Sequence, residues 1–216
     1  MTIAIGALCR EGFVIAADSQ ISVPGYYKFH ESKVHLTDGP GFDLIFSYSD
    51  DPALYQEARD KIVTQFRSSD LTPLALRTTC EEVFLEMGGL HVDRLNLEML
   101  IGVRCQISEL RILVFDGRSL NWATGIHCLG SGDSSLTRWL SETLYEPTMT
   151  ADHVVRTVVY IISKAKSYID HCGGETTIYK VCGLERPTRI LPDEVERIEF
   201  DVLARERYGL RAIVGL

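Results

Sequence analysis

The residues of this sequence best suited to chemistry begin with a threonine at the second position. Thr2 follows Met1, and removal of that methionine would leave a free α-amine beside the threonine hydroxyl. Such an amine has a pKa of about 8 and can accept the hydroxyl proton at neutral pH, which would make Thr2 a nucleophile. Many proteins lose Met1 before a small residue without any catalytic consequence. Position alone therefore makes Thr2 only a candidate.

Asp18 and Lys33 are the candidates for supporting that nucleophile. Asp18 ends an apolar segment that would pair with the strand starting at Thr2, so a hairpin returns it to the N-terminus. A Lys33 ammonium near the Thr2 amine would disfavour protonation of that amine and stabilise developing negative charge. Taken singly, the simpler interpretations are a turn aspartate and a strand-edge lysine.

Two later segments could bring polar groups to the same place. Gly130-Ser131-Gly132 closes a strand and opens a helix, where small residues let backbones approach and leave free amides pointing outward. Asp170 lies near a helix end, before Cys172-Gly173-Gly174. The helix dipole disfavours an acidic residue there, which indicates a specific partner for Asp170.

The elements that would position these residues follow a simple order. Apolar runs broken by turns predict strands over the first quarter of the chain and a three-stranded meander over residues 97–123. Capping residues predict two helices after position 51 and two more after position 133, and a final strand covers residues 176–181. This order predicts two sheets, each covered by helices, rather than alternating βαβ units.

Composition narrows the class of protein. The chain has 216 residues, of which 45% are hydrophobic and 24% charged, which suits one domain with a substantial core. Its net charge of −8 and lack of basic runs argue against nucleic acid as a partner. The N-terminus resembles no signal peptide, and no apolar run has membrane-spanning length. Six scattered cysteines without a C-x-x-C pair predict reduced thiols in a cytoplasmic protein that holds no metal or cofactor.

Taken together, these stretches resemble the proteasome β-subunit family of N-terminal threonine peptidases. The matching segments are residues 2–6 with 12–18, then 33–34, 129–132 and 170–174. The resemblance implies the four-layer αββα sandwich of the Ntn hydrolases over residues 1–186. Residues 187–216 would follow as a C-terminal arm that packs on the domain or on a neighbouring subunit. The opening Met-Thr looks more like the bacterial HslV branch of the family.

The resemblance also implies roles for individual residues. Thr2 would be the nucleophile, Asp18 would orient Lys33, and Ser131 and Asp170 would support the amine. The expected reaction is attack on a peptide bond, formation of an ester with the enzyme, and hydrolysis by water. The family further implies a polypeptide substrate flanked by Ser22 and Ser47, and a homo-oligomer of rings or a similar form. It also raises an ATP-dependent unfoldase as a partner.

Two departures from the family pattern weaken the case for catalysis. Ser47 stands where the family usually has a glycine whose amide serves the oxyanion hole, and the added side chain could narrow the substrate cleft. Gly173 stands where the family usually has a serine three residues after its aspartate. Either Cys172 or Ser167 could replace that serine, or nothing does.

Three alternatives remain open at this stage. A catalytically inactive proteasome-like scaffold would keep the fold and lose the chemistry. A serine hydrolase would use Ser131 with His127 or His171, although the G-x-S-x-G spacing is absent. The adjacent His-Cys pairs at 127–128 and 171–172 suggest metal ligands, but neighbouring residues on a strand point to opposite faces, so buried structural roles are favoured.

Overall fold

The structure is a computed structural model that describes residues 2–23, 27–90, 97–105 and 110–214. Within these ranges the chain alternates blocks of strands with blocks of helices. The strands are β1 (Ala4–Cys9), β2 (Gly12–Asp18), β3 (Gln20–Val23), β4 (Tyr27–His30), β5 (Val34–Gly39), β6 (Phe42–Asp50), β7 (Leu97–Cys105), β8 (Arg111–Phe115), β9 (Leu120–Trp122), β10 (Ile126–Leu129), β11 (Thr176–Cys182) and β12 (Thr188–Arg189). The helices are α1 (Pro52–Phe66), α2 (Pro73–Leu90), α3 (Ser135–Leu144), α4 (Ala151–Tyr168) and α5 (Pro192–Val214).

The strands form two antiparallel five-stranded sheets and one separate hairpin. The first sheet has the order β10-β1-β2-β11-β12, and the second has the order β5-β6-β7-β8-β9. In the first sheet the predicted hairpin is confirmed, with Ala4 opposite Ala17 and Cys9 opposite Gly12. β3 and β4 pair with each other and with no other strand of the described ranges. The short strands of that hairpin carry polar residues and lack an apolar run, so the sequence pattern does not indicate them individually.

Side chains of the two sheets meet in one apolar cluster, which includes Phe13, Ile15, Ile45 and Leu100. The contact is close at Gly102 of β7, where a Cβ atom would lie 2.4 Å from the Phe13 ring. Glycine at this position lets the two sheets approach each other.

The helices cover the outer faces of the sheets in two further clusters. α1 and α2 pack on the second sheet around Phe42, Phe46 and Phe66. α4 lies on the first sheet, with α3 and α5 beside it, and buries a wide apolar face that includes Val158 and Ile162. The fold is therefore a mixed α/β arrangement with helices against both sheets.

Local capping explains where most helices begin. The Asp51 side chain accepts hydrogen bonds from the amides of Ala53 and Leu54 before α1, and Ser134 and Thr137 form a capping box at α3. Both predicted starts are confirmed. α2 continues through Gly88 to Leu90, since a helix tolerates glycine at modest cost. Within the described ranges, no helix combines the length and the hydrophobicity needed to cross a bilayer.

Candidate active site

A fully buried ion pair lies at the end of β2. The Lys33 ammonium donates to Asp18 Oδ1 at 2.7 Å, and neither side chain is exposed to solvent. The same ammonium donates to the backbone oxygen of Gln20. Burial lowers the pKa of Lys33 from its ordinary value, and the neighbouring Asp18 carboxylate opposes this shift. The pair therefore places a lysine with a lowered pKa beside a fixed negative charge.

Asp18 connects three parts of the chain. Besides Lys33, its Oδ1 accepts the amide of Ile3 at 3.2 Å, and its Oδ2 accepts the amide of Gly173 at 2.8 Å. Its own amide donates to the Ile3 oxygen, which continues the β1–β2 pairing towards Thr2. The Asp18 carboxylate thus joins the N-terminal strand, the start of β5 and the loop after α4 at one point.

The backbone of Thr2 is held by the turn between β10 and α3. The Thr2 nitrogen donates to Ser131 Oγ at 3.2 Å, and the Thr2 oxygen accepts the Gly132 amide at 2.9 Å. The turn begins at Gly130, which adopts a positive φ of 85°. A Cβ atom there would lie 2.3 Å from the Thr2 oxygen, so only glycine fits. The structure thus brings Thr2, Ser131 and the Asp18–Lys33 pair together, as the predicted site requires.

The structure does not bring the Asp170 carboxylate to this site. α4 ends at Tyr168, so Asp170 lies beyond the helix and is exposed. Its backbone oxygen accepts hydrogen bonds from Gln20 Nε2 and Lys28 Nζ. Among the described residues, no hydrogen bond joins its carboxylate to Thr2 or Ser131. Asp170 therefore contacts its neighbours through its backbone oxygen, and in the described contacts its side chain does not support the Thr2 amine as expected.

Of the two residues considered as replacements for the family serine, Cys172 lies in the site. It is buried, and burial raises the pKa of its thiol to about 12, with Asp18 adding to the rise and Lys33 opposing it. The thiol is therefore neutral at physiological pH. Ser167 is exposed, and its hydroxyl donates to the Ser163 oxygen of its own helix.

Of the two residues expected to flank the substrate, the structure describes the side chain of Ser47. Ser47 lies in β6 opposite Val34, directly after Lys33, and shares the face of Ile45 that points towards the first sheet. Its hydroxyl is fully buried and has no hydrogen-bond partner in the described part of the chain. Ser22 belongs to β3, and its side chain lies outside the described residues.

Sequence reasoning missed two further residues beside Thr2. Ser49 lies on the same face of β6 as Ser47, and its buried hydroxyl has no partner among the described residues. Glu98 lies opposite Ser49 in β7, and its carboxylate accepts the Gly130 amide at 2.6 Å. The alternation of Leu97, Glu98 and Met99 could have indicated that Glu98 points away from the helices.

The described contacts give no support to a serine hydrolase. Ser131 Oγ accepts from the Thr2 nitrogen, whereas His127 lies within β10 opposite Gly6. Neither His127 nor His171 forms a hydrogen bond with Ser131 in the described part of the chain. A histidine base for Ser131 is therefore not in place.

Comparison with solved structures shows that Anbu proteins have a similar fold. Anbu from Hyphomicrobium sp. strain MC1, solved as a Gly-1 mutant, superposes with a TM-score of 0.81 at 13% identity over 97% of this chain and 96% of that chain. Anbu from Yersinia bercovieri, an ancestral beta-subunit, gives 0.80 at 15% identity over 99% and 96%. The fold of this chain is similar to that of Anbu.

A third Anbu structure concerns an assembly. It is the helical assembly of the Anbu complex from Pseudomonas aeruginosa, with a TM-score of 0.76 at 14% identity over 97% of this chain and 96% of that chain. The sequence itself matches no protein-family model and no curated relative. The expected affinity with the HslV branch was wrong, since these similar structures are Anbu proteins.

Proposed function

We propose that this chain is a subunit of an Anbu-like assembly that hydrolyses amide bonds, with Thr2 as nucleophile after removal of Met1. The observation that carries the proposal is the buried Lys33–Asp18 pair, which is bonded to the Ile3 amide next to Thr2. Removing two charges from water is costly, and a buried ion pair rarely increases stability over an apolar pair. Perturbed and buried charges of this kind are typical of active sites.

The proposed reaction uses the groups around Thr2 in two steps. The Thr2 α-amine accepts the hydroxyl proton while the hydroxyl oxygen attacks the substrate carbonyl, and the Lys33 ammonium stabilises the developing negative charge. The amine then gives the proton to the leaving nitrogen, and an ester with Thr2 remains. Water attacks the ester with the same amine as base, which releases the acid product and restores Thr2. The Ser47 amide is the proposed oxyanion donor.

We interpret the fold as the αββα layering of the Ntn hydrolases. Three apolar clusters support this interpretation: one lies between the sheets and one lies between each sheet and its helices. In such layering the N-terminal strand belongs to an inner sheet, which places Thr2 at the edge of a water-poor interior.

We further propose that the chain assembles with copies of itself to act on a polypeptide. The similarity to an Anbu protein that forms a helical assembly supports oligomerisation. Residues 187–216 are the proposed arm, and α5 exposes 77% of Phe200 and 74% of Tyr208, which a neighbouring subunit would cover. The cysteines of the described residues are thiols and form no disulfide, which supports a reducing compartment such as the cytoplasm. A ring, and an ATP-dependent unfoldase that feeds it, remain proposals from the resemblance.

A second candidate is an assembly subunit without turnover. It is favoured by the Ser47 side chain at the proposed oxyanion position and by the absence of the Asp170 carboxylate from Thr2 in the described contacts. In this case the Lys33–Asp18 pair would only hold the N-terminal strand in place.

The deciding experiment is intact-mass measurement before and after exposure to a peptide epoxyketone. Such an electrophile reacts with a free α-amine and its adjacent hydroxyl, so one adduct on a chain lacking Met1 supports the nucleophile. Thr2→Ala should give no adduct, whereas Thr64→Ala, an exposed threonine on α1, should label like the wild type. A chain that retains Met1, or that lacks Met1 but gives no adduct, would favour the subunit without turnover.

A further inference from the structure

We propose that Glu98 is a positioning residue for Thr2 that acts through the turn of residues 130–132. This inference rests on the proposed function of Thr2. The contact that carries it is the 2.6 Å hydrogen bond from the Gly130 amide to Glu98 Oε2. The two residues following Gly130 hold the nitrogen and the oxygen of Thr2. A shift of Gly130 would therefore be transmitted directly to the nucleophile.

The position of Glu98 is set by the second sheet. Leu97 and Met99, on either side of Glu98, pack towards α1 and α2, so Glu98 points to the opposite face of β7. Leu100 lies on that same face and packs against the first sheet. Strand β7 thus extends a carboxylate from one sheet to a turn that leaves the other sheet. This contact links the two sheets beside Thr2.

The turn leaves little freedom at its first residue. Gly130 has a positive φ, and its α-carbon faces both the Thr2 oxygen and the buried hydroxyl of Ser49, each within 2.6 Å of an added Cβ atom. Thr2 and Ser49 confine the α-carbon of Gly130, and the hydrogen bond to Glu98 fixes the direction of the Gly130 amide. A charged acceptor makes a stronger bond than a neutral one.

The surroundings of Glu98 make its charge sensitive to pH. Burial raises the pKa of the Glu98 carboxyl, the Gly130 amide opposes the rise, and the carboxylates of Asp50, Asp133 and Asp116 add to it. Asp50 is at the end of β6, Asp133 directly follows the turn of residues 130–132, and Asp116 lies in the β8–β9 connection. Protonation of Glu98 in mild acid would weaken its bond to Gly130 and loosen the turn that holds Thr2.

The test compares two variants at Glu98 with the wild type. Glu98→Gln keeps an acceptor of the same shape and removes the ionisation, whereas Glu98→Ala removes the acceptor. Glu142→Gln, an exposed glutamate on α3, is the matched control. The first readout is the rate of epoxyketone labelling of Thr2 as a function of pH, with circular dichroism to confirm folding.

We expect Glu98→Ala to label at least about tenfold more slowly than the wild type at pH 8, as loss of a bond to a charged group typically costs, and the difference should narrow in acid. Wild type should lose reactivity steeply in acid, because both the Thr2 amine and Glu98 take up protons. Glu98→Gln should show a shallower decline governed by the amine alone. The proposal would be overturned if Glu98→Ala were labelled at the wild-type rate. It would also be overturned if the labelling rate of Glu98→Gln fell as steeply in acid as that of the wild type.

The second readout does not depend on reactivity. Hydrogen exchange of the Gly130 amide should be at least about tenfold faster in Glu98→Ala. The Gly130 amide should exchange more slowly in the wild type than in Glu98→Gln, and this difference should shrink as the pH is lowered. If the wild type never labels, the proposed function of Thr2 fails, but these exchange rates still decide whether Glu98 holds the turn. Unchanged exchange in Glu98→Ala would refute the positioning role.

Discussion

Lys33 carries its amine where water does not reach, and Asp18 is its charged partner. We expect Lys33→Met to abolish labelling of Thr2 and to lower the free energy of unfolding by about 3–5 kcal/mol, because the Asp18 carboxylate would remain buried without its cation. Urea denaturation and intact mass would measure the two effects.

Lys61→Met is the control for this prediction, since Lys61 forms surface ion pairs with Glu57 and Glu86. Its loss should lower the free energy of unfolding far less than the loss of Lys33 does, because exposed ion pairs contribute little, and it should leave labelling intact. Equal losses of stability in the two variants would show that burial of the Lys33–Asp18 pair has no special energetic weight.

Glu98 gives a prediction about pH and stability. A carboxyl whose pKa is raised in the folded state is penalised there when ionised. The penalty is absent below the ordinary glutamate pKa, grows as the pH rises, and is complete above the raised pKa. Glu98→Gln should therefore have a higher melting temperature than the wild type at pH 8 and an equal one at pH 4. A difference that does not change with pH would contradict this account.

At the scale of elements, local signals predicted more than distant contacts did. The β1–β2 hairpin, the caps at Asp51 and Ser134 and the broad apolar face of α4 all follow from neighbouring residues, and the structure contains them. The resemblance named Thr2, Asp18 and Lys33 as one cluster, and in the structure Asp18 contacts both Lys33 and the residue after Thr2. The Asp170 side chain lies beyond the end of α4 and is exposed, which local signals did not indicate.

The contact between Glu98 and Gly130 could not be predicted, because it depends on how two sheets meet. The same is true of the β3–β4 hairpin, whose strands have no partner in the described strands of either large sheet. Neither feature leaves a periodic pattern in the sequence, since polar residues at strand ends are usually exposed. Such contacts follow from the tertiary packing, not from local propensity.

The packing of one sheet on the other gives the prediction at this scale. Gly102→Ala should lower the free energy of unfolding by about 1–3 kcal/mol, since the added methyl group would overlap the Phe13 ring. Phe13→Leu in the same chain should recover part of this loss by making room. Gly125→Ala, whose Cβ would meet only Tyr145 at 3.5 Å, should cost less than Gly102→Ala. If the effects of Phe13→Leu and Gly102→Ala on the free energy of unfolding are additive in the double variant, the two residues do not share this contact.

At the scale of the whole molecule, the exposed apolar residues of α5 predict where copies of the chain meet. Phe200 is 77% exposed, although Val195 and Ile198 of the same helix are buried against the domain. We expect Phe200→Glu to reduce the assembled mass measured by light scattering and to leave the circular dichroism spectrum unchanged, because a charge would have to be buried between subunits.

Leu85→Glu on α2 is the matched control, since Leu85 is also 77% exposed. It introduces the same charge at a residue of equal exposure on the opposite side of the fold, where α2 covers the second sheet. The control should keep the wild-type mass if assembly depends on α5. Loss of assembly in Leu85→Glu with wild-type mass in Phe200→Glu would move the subunit interface from α5 to α2, and α5 would then be a surface helix that stabilises its own domain.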